Sequence, residues 1–64
     1  MATFIREFDC HGYTMQTEVN LSAKAKRLVR FDADGTANAG EWQRLPASAN
    51  INERKLVNAG YRLA

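Results

Sequence analysis

Lys24, Lys26, Arg27 and Arg30 place four of the nine cations of this 64-residue chain close together, interleaved with Ala23, Ala25, Leu28, Val29 and Phe31. Cations at short intervals along one element are suited to neutralising successive phosphates of a nucleic-acid backbone. Arg44, Arg54, Lys55 and Arg62 form a second basic group towards the carboxy terminus. Tyr13, Trp42 or Tyr61 would offer faces for bases to stack on if exposed, although so small a domain also needs its aromatic residues for burial. The competing account of the same cations is a solvated surface on which they pair with Asp32, Asp34 and Glu41.

Other residue patterns point less far. Asp32, Asp34, Gly35, Asn38 and Glu41 fall at positions 3, 5, 6, 9 and 12 of the EF-hand calcium loop, but Arg30 stands at position 1, where the loop needs a carboxylate. Ala37 replaces the usual aliphatic at position 8, and no flanking helix pair is evident, so the segment reads as an acidic turn. Cys10 and His11 are neighbours in sequence, which seldom lets a thiol and an imidazole face each other. Together with Asp9 they do not complete a zinc ligand set. The glycines Gly12, Gly35, Gly40 and Gly60 are scattered rather than gathered into a phosphate-cradling loop, and no carboxylate pair implies a shared cleft. The expectation is a protein that is not an enzyme and uses neither metal nor cofactor.

Size and composition set the frame for these elements. A chain of 64 residues is one domain, with 45% apolar and 25% charged residues, the balance of a folded protein. At this length only about 60% of the unfolded surface becomes buried, so a partner subunit would help stability. The single cysteine precludes an intrachain disulfide and fits a reducing cytoplasm. The opening Met-Ala-Thr-Phe-Ile-Arg-Glu lacks the regions of a signal peptide, and no apolar run approaches the length of a membrane span. Net charge is +2, distributed in blocks: Met1–Ala23 carries −2, Lys24–Phe31 +4, Asp32–Trp42 −3 and Gln43–Ala64 +3. Such blocks build a basic face if both positive ones fold onto one side.

The elements follow from periodicity. Thr3–Phe8 and Tyr13–Leu21 read as a β-hairpin, the second strand placing Tyr13, Met15, Thr17, Val19 and Leu21 on one face. Asp9–Gly12 suits a connection of three to four residues. Ser22–Asp34 fits two patterns. Leu21, Ala25, Leu28 and Val29 have helical spacing, which would cluster Lys26, Arg27 and Arg30; as a strand, Ala23, Ala25, Arg27, Val29, Phe31 and Ala33 share one face and Lys24, Lys26 and Arg30 line the other. Val29, Phe31 and the Asp34-Gly35 turn favour the strand, after a short turn at Ser22. Thr36–Gly40 reads as a loop, and Glu41–Leu45 as a short strand ended by Pro46. Asn50-Ile51-Asn52-Glu53 matches a capping box, with Asn50 as the cap of a helix over Ile51–Ala59. Gly60 suits the left-handed position after it, with Tyr61 placed to pack on Leu56. Tyr61–Leu63 either pairs as a short strand or simply packs.

The expected fold is α+β, a small antiparallel sheet packed by a carboxy-terminal helix. Phe4, Phe8, Phe31 and Trp42 are its expected core aromatics. The expected function is non-enzymatic binding, in which Lys24, Lys26, Arg27, Arg30, Arg44, Arg54, Lys55 and Arg62 engage nucleic acid or a nucleoprotein complex. The alternative is a protein–protein inhibitor or adaptor working through a sheet edge or apolar patch. In size and cytosolic character that alternative resembles the accessory, anti-defence proteins of phages and mobile elements. Monomer and homodimer both fit, and no membrane is involved.

Overall fold

The computed structural model of the chain describes residues 3–64. They form β1 (Thr3–Cys10), β2 (Tyr13–Asn20), β3 (Ala25–Phe31), β4 (Ala37–Ala39), β5 (Gln43–Arg44), α1 (Glu53–Asn58) and β6 (Arg62–Leu63). β1, β2 and β3 are an antiparallel meander. β6 joins the outer edge of β1, and β4 and β5 share the outer edge of β3. The domain is an antiparallel sheet with one short helix, mostly strand, so α+β describes it only loosely.

Cys10 pairs with Tyr13, which leaves His11 and Gly12 alone in the first turn, at φ of 51° and 81°. Positive φ at both central residues is the geometry whose twist matches that of the flanking strands. The connection is therefore two residues, shorter than expected, and Asp9 and Cys10 stay in the ladder. The second turn runs over Leu21–Lys24. It is closed by the Lys24 amide donating to the Leu21 carbonyl at 3.3 Å and by the Ala23 amide donating to Asn20 Oδ1 at 3.0 Å.

The segment that fitted two patterns is a strand. Ala25–Phe31 pairs along its whole length with Asn20–Thr14 of β2. Its other edge explains β4, which contradicts the loop expected at Thr36–Gly40. The Gly35 amide donates to the Asp32 carbonyl at 2.9 Å, reversing the chain, and Ala37–Ala39 then lies along Val29–Phe31. Ala-Asn-Ala has little intrinsic strand preference, and the need of the β3 edge for backbone partners overrides it. β5 pairs Arg44 with Ala25 and Gln43 with Lys26, as a short strand antiparallel to β3.

The helix starts two residues later than the capping box suggests. Asn52 is the cap, its side chain accepting from the Lys55 amide at 2.9 Å, while the carbonyl of Asn50 accepts from Lys55 Nζ at 2.8 Å. The helical end is closed as its residues imply. Gly60, at φ 96°, donates to the Val57 carbonyl and Tyr61 to the Leu56 carbonyl, the paired bonds of a Schellman motif.

Residues directly opposite in an antiparallel ladder project to the same side, so the register defines two faces. One carries Phe4, Arg6, Phe8 and Cys10 of β1, Tyr13, Met15, Thr17 and Val19 of β2, and Lys26, Leu28 and Arg30 of β3. The main cluster is on this face, where Phe4, Val19 and Leu56 meet and Leu21, Leu45, Ile51 and Tyr61 pack around them, while Ile5 and Val29 are buried on the opposite face. A six-residue helix is about 9 Å long, whereas an eight-residue strand runs about 27 Å, so α1 covers only one end. The other end of the face is open. Phe8 is consequently 37% exposed, against the expectation that it is buried. Trp42, just ahead of β5, is also exposed rather than buried, because it lies against Arg27 on the opposite face from the helix. Phe31 is half-buried.

Candidate functional site

The alternation that builds the strands also sorts their charges. On the helix-bearing face the strands contribute Arg6, Lys26 and Arg30 and, among the described residues, no acid. On the opposite face they contribute Glu7, Asp9 and Glu18 together with Arg27, Arg44 and Arg62, which balance. One face is thus positive and the other neutral.

The eight basic residues expected to act together are therefore divided. Arg27 points to the neutral face, where Nη2 lies 3.2 Å from Glu18 Oε2 and the guanidinium stands 4.6 Å from the Trp42 ring centroid. Its Nε is buried and has no hydrogen-bond partner among the described residues. Arg62 pairs with Glu7 at 2.6 Å on the same face, and Arg44 projects there beside Ala25. Lys24 sits in the second turn at φ 50°. Arg54 and Lys55 are on α1, exposed, with the Lys55 ammonium tied to Asn50. Lys26 and Arg30 remain on the positive face.

Arg6, which the basic clusters of the sequence leave out, joins them. Its guanidinium lies 5.1 Å from the Tyr61 ring centroid, and Nη1 donates to the Ala59 carbonyl at 3.4 Å. Alternation along β1 sets it with Phe4 and Phe8, but a count by blocks sums it with Glu7 and Asp9, which follow it in sequence.

The open end of the positive face is apolar between its cations. Phe8, Tyr13 and Leu28 are 37%, 42% and 46% exposed, and Met15 is half-buried among them. Arg30 stands 4.9 Å from the Tyr13 ring centroid and its Nε lies 3.4 Å from Asp32 Oδ1. Both contacts are exposed, and such pairs contribute about 1 kcal/mol or less each. Arg30 is thus held in place weakly, with its charge available to another anion.

The acidic turn resembling a calcium loop serves the backbone. Asp32 Oδ2 accepts from Asn38 Nδ2 at 3.1 Å, and Asp34 Oδ1 accepts from the Thr36 amide at 2.9 Å. Hydrogen bonds from the Thr36 amide and hydroxyl hold the Asp34 carboxyl below its ordinary value of 3.8. Among the described residues no three acidic, histidine or cysteine side chains gather as metal ligands, and no helix is long and apolar enough to cross a membrane.

No protein-family model, curated protein or solved structure matches this chain.

Proposed function

We propose that this protein is a non-enzymatic binding module whose positive sheet face receives nucleic acid. The observation that carries the reading is the division of strand charges, Arg6, Lys26 and Arg30 on one face and Glu7, Asp9 and Glu18 on the other. A polyanion approaching the first face meets three cations at intervals along the strands and no strand carboxylate to repel it. The net charge of +2 understates this field, because three of the seven acids, Glu7, Asp9 and Glu18, are on the opposite face.

The residues carrying the interaction are Arg6, Lys26 and Arg30, with Lys24 at the adjacent turn and Arg54 and Lys55 on the helix as peripheral cations. Arg27 and Arg62 are occupied by Glu18 and Glu7 and serve the fold instead. A Lys26→Gln, Arg30→Gln double variant tests this. It is expected to lose most oligonucleotide affinity at low salt, while Arg44→Gln on the neutral face changes it little. Equal losses from both would contradict the reading. The competing function, a protein inhibitor or adaptor, would use the apolar members of the same face and would be nearly insensitive to salt.

A further inference from the structure

We infer that the strand bound is single, with two unstacked bases lying on Phe8 and Tyr13. This rests on the proposed nucleic-acid binding and specifies its substrate class. Phe8 and Tyr13 sit on the same open face of adjacent strands. They are diagonal neighbours, since Phe8 pairs with Met15 and Cys10 with Tyr13. Diagonal side chains on a sheet stand about 7–8 Å apart, whereas stacked bases of a duplex are spaced at about 3.4 Å. Two successive bases reach both rings only by opening their own stack, which a single strand does readily and a duplex does not. The width of the face argues the same way. At the level of Phe8 the sheet is four strands wide, β1 to β4, about 14 Å from first to last backbone, too wide for a major groove of about 12 Å.

Charge supplies the rest of the occupant's chemistry. Met15 lies between Phe8 and Arg30, and Arg6 follows Phe8 along the same side of β1, so the phosphates next to the two bases reach Arg30 and Arg6, and Lys26, level with Val19, meets one further along the bound strand. Arg30 already lies over Tyr13 and beside Asp32. A phosphate that takes the place of the Asp32 carboxylate draws the guanidinium along β3 and opens the Tyr13 ring to a base.

Three labelled probes separate the contributions: a short oligothymidine, a duplex of the same length, and a sulfated polysaccharide that has charge but no bases. Fluorescence anisotropy at low salt is read for the wild-type chain and for Phe8→Ala, Tyr13→Ala and Tyr13→Phe, each first shown by circular dichroism to be folded. The oligothymidine is expected to bind most tightly. Either alanine should weaken it about ten-fold or more, and Tyr13→Phe should retain it. If all three probes bind alike and the alanine variants match wild type, base stacking is overturned. Charge binding then stands, provided the Lys26→Gln, Arg30→Gln variant still weakens. If no nucleic acid binds, both readings fall. A mass that rises with concentration would then identify the open face as a contact between copies of this chain.

Discussion

The dependence of binding on salt can be worked out from the three cations of the positive face. Each phosphate neutralised on a single strand releases counterions and contributes about −0.7 to the slope of log K against log salt. Arg6, Lys26 and Arg30 together give a slope of about −2, so affinity should fall about 20-fold between 50 and 200 mM salt. Lys26→Gln removes one contact, and the slope should shrink to about −1.4, a fall of about 7-fold over the same range. Lys26 is exposed and makes no ion pair with a described residue, so its loss should leave the fold intact. Arg44→Gln removes the same charge from the neutral face and should leave the slope near −2. Anisotropy titrations of a labelled oligonucleotide at four or so salt concentrations measure each slope. Equal slopes for wild type and Lys26→Gln, or an equal reduction by Arg44→Gln, would refute the assignment of binding to one face.

Further outcomes follow from the same geometry. Asp32→Asn keeps the turn's hydrogen-bonding capacity but removes the carboxylate nearest Arg30, and should tighten oligonucleotide binding a few-fold at low salt, read by anisotropy. Leu56→Ala opens a cavity between α1 and Phe4 and should cost about 2–5 kcal/mol in urea denaturation, most of the stability available to so small a domain. Gly60→Ala forces a side chain into φ 96° and should cost about 1 kcal/mol, seen as a lower melting temperature, with little effect on binding. Asp34 has a folded pKa below its unfolded value. Its stabilising contribution is therefore complete above the unfolded pKa near 3.8 and lost as pH falls through the lower, folded value. Carboxyl carbon shifts followed from pH 5 downward should show Asp34 titrating below 3.8; a midpoint at or above that value would contradict the Thr36 hydrogen bonds.

The strands were legible where alternation was clean. Tyr13, Met15, Thr17 and Val19 do share a face, and Gly60 with Tyr61 does close the helix on Leu56. β4 was hidden because Ala37–Ala39 pairs in answer to the exposed backbone of β3, a demand that its own residues do not encode. The helix cap was misplaced because Asn50 and Asn52 are both good caps; Asn52 prevails in the fold, where the Asn50 carbonyl holds Lys55 and Ile51 packs on the core ahead of the first turn. Phe8 and Trp42 look like core residues in a chain this short, but a six-residue helix cannot shelter them. Part of the candidate site was legible as a group, since strand alternation already sets Lys26 and Arg30 on one face and Arg27 on the other, as the register has them. What reading charge in blocks overlooks is Arg6, because Glu7 and Asp9 follow it in sequence and only the strand fold turns them to the opposite face.

The most direct measurement is a methyl NMR titration with single-stranded oligonucleotide, since methyl groups report on each face separately. Met15 and Leu28 lie on the positive face, and the exposed Thr14 and Ala39 on the neutral one. Salt-sensitive shifts are expected at the Met15 and Leu28 methyls, with Thr14 and Ala39 nearly still. Shifts led by Thr14 and Ala39, or none at low salt, would contradict the account.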